Sequence, residues 1–167
     1  HEKEYAYGKY PEKKLSEIIN SVKRKELQES LKIQDYSKGC RACYRDLQSG
    51  NFEAAMLSQY HQYRIRKWPQ VLEFELSHYC NIDCIMCYLH CHNENDNVYD
   101  DKFIEELAPF LKMAKEAKFF GGEPFAIPGY RKIWDEISEL NPKMQIYIQT
   151  NGTIFNDYVE KLLKNHN

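Results

Sequence analysis

The sequence predicts an α/β fold built on parallel strands, and two observations carry that prediction. From residue 71 onward, short apolar runs of strand character alternate three times with amphipathic helical runs. Each strand-like run also ends in a group of chemically marked residues. Alternating strand and helix favours parallel strands with right-handed crossovers. Ligands in such folds collect at the carboxyl ends of the strands.

Residues 1–11, HEKEYAYGKYP, read as an irregular or strand-like lead-in. From Glu12, Leu15, Ile18, Ile19 and Val22 recur at helical spacing, and Leu27 and Leu31 carry the helix to about Lys32. A polar loop follows, holding Cys40 and Cys43 in KGCRACY. A second helix is predicted from Asn51, a good N-cap residue, through FEAAMLSQYHQYRI. Pro69 closes this part, so the division falls at 1–69, helical with a C-x2-C pair, and 70–167, the strand–helix part.

Residues 71–76 are apolar enough for a buried strand. Directly behind them stand Cys80, Cys84 and Cys87, spaced C-x3-C-x2-C in SHYCNIDCIMCYL. A polar tract, HCHNENDNVYDD, leads to a helix over 101–116 with Phe103, Ile104, Leu107, Leu111 and Ala114 on one face. Pro109 is expected to kink it. Residues 118–120 make a second short strand ending in Gly121-Gly122-Glu123-Pro124. A helix over 129–140 buries Ile133, Trp134 and Ile137. Residues 144–149 alternate as a third strand, MQIYIQ, ended by Thr150-Asn151-Gly152, and a helix over 156–164 follows. No internal repeat or low-complexity tract interrupts the pattern.

The chain has 167 residues, 23 basic and 25 acidic, for a formal net charge of −2. Such a balance gives no global field toward nucleic acid or anionic lipid. The runs Lys23-Arg24-Lys25 and Arg64-Ile65-Arg66-Lys67 read as solvated helix faces, since no basic stripe continues from them. Without an apolar run near ~20 residues or a signal peptide, no membrane association is expected and the cytoplasm is the expected compartment.

Six cysteines in clusters suit metal binding better than disulfides in a reducing compartment. Three thiolates within eight residues suit one compact inorganic centre. Iron–sulfur clusters usually take four thiolates, so a set of three leaves one iron open. The competing readings are a zinc or electron-transfer site for the triplet and plain turns for GGEP and TNG. Cys40 and Cys43 are half of an auxiliary cluster site, a zinc site or two unligated thiols. His90, Cys91 and His92 read as part of a solvated loop, because the tract around them is polar and aperiodic.

Taken together, C-x3-C-x2-C after the first strand, GGEP after the second and TNG after the third resemble the radical S-adenosylmethionine (radical SAM) enzymes. The wording FFGGEPF and IYIQTNGT resembles the branch with SPASM or twitch auxiliary domains. This resemblance covers about residues 71–167, while residues 1–60 resemble the tail of a twitch-like segment. It implies a partial (β/α)6 barrel of about three βα units, preceded by a helical, cysteine-containing segment. On that pattern Cys80, Cys84 and Cys87 would hold a [4Fe–4S] cluster whose fourth iron chelates SAM. Reductive cleavage of SAM would then release a 5′-deoxyadenosyl radical that abstracts hydrogen from a substrate. No protein side chain is implied as the catalyst, because the radical forms on SAM itself.

The resemblance also implies roles for individual residues. Gly121 and Gly122 would let the backbone approach the methionine end of SAM. Glu123 would accept from its ammonium, directly or through the loop, and Pro124 would stiffen the turn. Met86 stands where the family often has an aromatic residue and would pack near adenine with Tyr88 as a neighbour, unless both are plain packing. Thr150 and Asn151 would offer polar contacts to SAM or substrate. The family further implies a peptide or small-molecule substrate, a reductant such as flavodoxin or ferredoxin, and an auxiliary iron–sulfur cluster at Cys40 and Cys43. The family barrel has six units, so the chain is expected to be a fragment or to have its open sheet edge covered by something else. The alternative from another class is a non-catalytic iron–sulfur or zinc module that binds a partner or carries electrons.

Overall fold

The computed structural model describes residues 6–36, 41–53, 67–87 and 99–165. The backbone divides into two compact units, His1–Arg66 and Lys67–Asn167.

In the first unit the described helices are α1 (Leu15–Ile19), α2 (Val22–Lys32) and α3 (Arg41–Gln48). The single helix expected from Glu12 to about Lys32 is broken at Asn20–Ser21. The Ser21 hydroxyl accepts from the Arg24 N–H and starts α2 afresh. An N-cap of this kind satisfies a donor that the first helical turn leaves open. The loop expected around Cys43 is also corrected, because Cys43 lies within α3. Residues 51–53 are loop and turn and not the start of the helix expected from Asn51, and the rest of that expected helix falls outside the described residues.

The second unit is a parallel three-stranded sheet, β1 (Val71–Phe74), β2 (Glu116–Phe119) and β3 (Gln145–Ile148), in that spatial order. Val71 pairs with Glu116 and Glu116 with Gln145, so the three strands end together at Phe74, Phe119 and Ile148. Three helices complete it: α4 (Asp101–Met113), α5 (Pro128–Leu140) and α6 (Asp157–Asn165). A 3-10 turn, Pro124–Ala126, separates β2 from α5.

The expected strand–helix alternation is present, with one shift. Residues 114–116, assigned to the end of a helix by the sequence pattern, leave it instead. The N–H groups of Lys115 and Glu116 both donate to the Gln70 carbonyl, drawing the chain into β2. Helix α4 itself continues through Pro109, which sits on its exposed side. Asp100 caps its start by accepting from the Phe103 N–H at 3.0 Å.

The core lies between the sheet and helices α4 and α5. Leu107, Phe110 and Leu111 from α4 and Ile133, Trp134 and Ile137 from α5 are buried with Phe74, Ala117 and Phe119 of the sheet. Phe74 and Phe119, register partners on β1 and β2, stack with ring centroids 4.9 Å apart. Tyr130 and Trp134 meet Phe119 edge-on. Aromatic pairs prefer such offset and edge-to-face arrangements. The central strand is the buried one, whereas β3 exposes Gln145 and Tyr147.

Candidate metal and cofactor site

The candidate site is formed where the three strands end. Its frame is Tyr130 of α5, fully buried beneath the ends of β1 and β2. The Tyr130 hydroxyl accepts from the Leu76 N–H at 2.9 Å and lies 3.0 Å from the Phe74 carbonyl and 2.7 Å from that of Phe120. It therefore ties together the backbone where β1 and β2 leave the sheet, accepting one N–H and offering its single proton to the two carbonyls. Burial pushes its pKa well above the usual tyrosine value.

Beyond Phe120 the chain crosses directly over the segment leading to Cys80. The Gly122 N–H donates to the Ser77 carbonyl at 3.0 Å, and the Glu123 N–H to the Tyr79 carbonyl at 2.8 Å. A Cβ on Gly122 would collide with the Tyr79 carbonyl, and one on Gly121 would come 2.5 Å from the Ser77 carbonyl. Gly121 also has φ +119°, a conformation open to glycine and rarely to other residues. The diglycine is thus required by the crossing of two loops.

Glu123 has no exposed surface. Its carboxylate accepts from the Phe125 N–H at 3.0 Å, from the Thr150 hydroxyl at 2.8 and 3.0 Å, and from the Asn151 N–H at 2.8 Å. All of these donors belong to the chain itself. A buried carboxylate persists only with such partners, and here they fasten the β2 loop to the β3 loop. Pro124 is buried beside it and opens the 3-10 turn.

Asn151 completes the link. Its side-chain amide donates to Asn81 Oδ1 at 3.0 Å and lies 3.6 Å from Cys80 Sγ. The Asn81 amide reaches Thr153 Oγ1 at 2.7 Å. So Cys80, Gly121, Gly122, Glu123, Pro124, Thr150 and Asn151, all singled out from the sequence, are brought into one network. Asn81 and Thr153 were not singled out, since short polar residues beside a motif look like ordinary loop.

The remaining candidates are placed differently. Cys87 is half-buried, and its N–H donates to the Cys84 carbonyl at 2.8 Å in a tight turn. Cys84 is exposed, as are Ile85 and Met86 at the tip of that turn. Cys80, Cys84 and Cys87 are all free thiols. Among the described residues no three His, Cys, Asp or Glu side chains are gathered so as to hold a single metal ion. A multi-iron cluster sets its thiolates on different irons, and three unpaired thiols on one eight-residue loop are the right donor set for three of them. Tyr88, Cys40, His90, Cys91 and His92 lie outside the described residues, as does the side chain of Cys43.

Among the described residues no helix is long and apolar enough to cross a membrane. A family model described as the radical SAM superfamily matches residues 74–167, more than half of the chain. None of the curated proteins or solved structures compared with the chain matches it.

Proposed function

The chain belongs to the radical SAM superfamily, and on that premise we propose that Cys80, Cys84 and Cys87 hold a [4Fe–4S] cluster that serves reductive cleavage of SAM. When bound, the cluster held by these thiolates would supply the one electron that this cleavage needs. The protein's part is to bind, orient and shield these groups.

One observation carries the reading. The loops after β1, β2 and β3 are locked to one another by the Gly122–Ser77, Glu123–Asn151 and Asn151–Asn81 hydrogen bonds. The three loops that bear the family's motifs therefore form one rigid rim. Within it the Glu123 carboxylate is occupied by Phe125, Thr150 and Asn151. Its contribution to SAM binding would be to shape the GGEP backbone. Met86, exposed at the tip of the cysteine turn, supplies an apolar surface for adenine, with Tyr88 nearby in sequence.

The wording of FFGGEPF and IYIQTNGT supports placement in the SPASM or twitch branch. From that branch follow a peptide or protein substrate, an auxiliary iron–sulfur cluster using Cys40 and Cys43, and a flavodoxin or ferredoxin as electron donor. The test is anaerobic reconstitution. The protein should turn brown with about four irons at the cysteine triplet, and Cys84→Ala should abolish this. SAM should perturb the cluster's spectrum, and dithionite should then release 5′-deoxyadenosine. A colourless protein holding one zinc would instead identify a non-catalytic metal module.

A further inference from the structure

The amide of Asn151 is held in one orientation by a closed ring of hydrogen bonds. The backbone N–H of Thr153 reaches Asn151 Oδ1 at 2.9 Å, and Thr153 Oγ1 approaches the same oxygen at 2.7 Å. A backbone N–H only donates, so the atom it meets on Asn151 must be the carbonyl oxygen. The amide nitrogen is thereby turned the other way, toward Asn81 Oδ1 at 3.0 Å and Cys80 Sγ at 3.6 Å. Thr153 Oγ1 spends its proton on Asn151 and accepts from the Asn81 amide at 2.7 Å, which closes the ring. One N–H of Asn151 is used by Asn81, and the other faces the sulfur.

We infer that Asn151 is a positioning residue that raises the reduction potential of the cluster by donating an N–H···S hydrogen bond to Cys80. The inference rests on the cluster reading above. Hydrogen bonds to cluster sulfurs are among the factors that set reduction potential. A donor beside a thiolate favours the cluster's more negative, reduced state. Two other features hold the donor in place. The Asn151 backbone N–H is bound by the buried Glu123 carboxylate, and the preceding Thr150 hydroxyl is bound by the same group. Glu123 thus reaches the cluster's sulfur through Asn151 without touching it.

The test is a redox titration of the anaerobically reconstituted protein, with the reduced cluster followed by electron paramagnetic resonance. Asn151→Ala should bind its full iron and disfavour the reduced state about threefold to tenfold. At 59 mV per tenfold for one electron, the midpoint falls by about 28 to 59 mV. Asn151→Asp, nearly the same shape but carrying no N–H, should lower it at least as far. In wild-type protein labelled with nitrogen-15 at asparagine side-chain amides, pulsed resonance of the reduced cluster should show a weak nitrogen coupling, which needs no variant to load. An unchanged midpoint in a fully loaded Asn151→Ala or Asn151→Asp protein overturns the inference and leaves the cluster reading intact. Absence of the nitrogen coupling in the wild type overturns it as well. A wild-type protein that assembles no four-iron cluster overturns the cluster reading, and this inference with it.

Discussion

At the level of single residues, the site depends on two whose chemistry is spent inside the protein. Glu123 is fully buried and meets only donors. Glu123→Gln keeps the shape but places an NH2 where an oxygen now accepts from the Phe125 or Asn151 N–H. Two donors would then face each other without water, at a cost of about 1–3 kcal/mol. The urea midpoint should fall while the slope of unfolding stays the same. Gly122 is constrained by space: an added Cβ meets the Tyr79 carbonyl, a backbone atom with no side-chain freedom to yield. Gly122→Ala should therefore part the β2 loop from the cysteine loop and lower both stability and the iron retained after reconstitution. An alanine variant with full iron and unchanged stability would show that the crossing is not needed. The crossing accounts for the diglycine by itself, because the Ser77 and Tyr79 carbonyls fill the space that side chains at Gly121 and Gly122 would take.

Among the elements, α4 and α5 are joined at their ends as well as along their buried faces. The Asn141 amide, at the end of α5, donates to the carbonyls of Leu111 and Ala114 at 2.9 Å each. These belong to the last turn of α4, whose carbonyls have no partner within the helix. Asn141→Ala should cost about 1–2 kcal/mol by leaving both without this donor, seen as a lower thermal midpoint with the helix content of the folded state unchanged. The helices of this unit were legible in the sequence because their apolar residues recur at helical spacing over a long enough stretch. Helix α3 was not, since RACYRDLQ spans only eight residues and its four apolar positions are too few turns long to set a helical period apart from a polar loop. The break between α1 and α2 was hidden because the apolar stripe runs across Asn20–Ser21 unchanged. The strand β2 begins at Glu116, a buried acid that masks its apolar character. At the site, the sequence marked the residues but not their partners. The crossing of residues 77–79 by 121–123 and the ring of Asn81, Asn151 and Thr153 join segments some 40 to 70 positions apart, and no local pattern records such contacts.

For the second unit as a whole, the strand ends, helix α5 and the site loops meet at one buried hydroxyl, so its ionisation is coupled to global unfolding. Tyr130 is fully buried, and its pKa is raised chiefly by desolvation. Tyr158 is raised in the same direction, first by burial and then by its hydrogen bond to Asp135. In the unfolded chain a tyrosine loses its proton near pH 10. In the folded chain Tyr130 stays neutral beyond that point, so above pH 10 the folded state binds more protons than the unfolded one. Stability must then fall as pH rises. Below pH 10 both states are protonated and this contribution is constant. Tyr130 alone can add a slope of up to about 1.4 kcal/mol per pH unit in this window. Tyr130→Phe should be less stable at pH 7 by about 1–3 kcal/mol, because the Leu76 N–H and the Phe74 and Phe120 carbonyls lose the hydroxyl. Its stability should nevertheless decline less steeply above pH 10 than that of the wild type. Urea titrations at pH 7, 9, 10 and 11 on both proteins give the comparison. Parallel curves for the two would show that Tyr130 does not stay protonated in the fold, and that its hydroxyl is not the buried junction of the three elements.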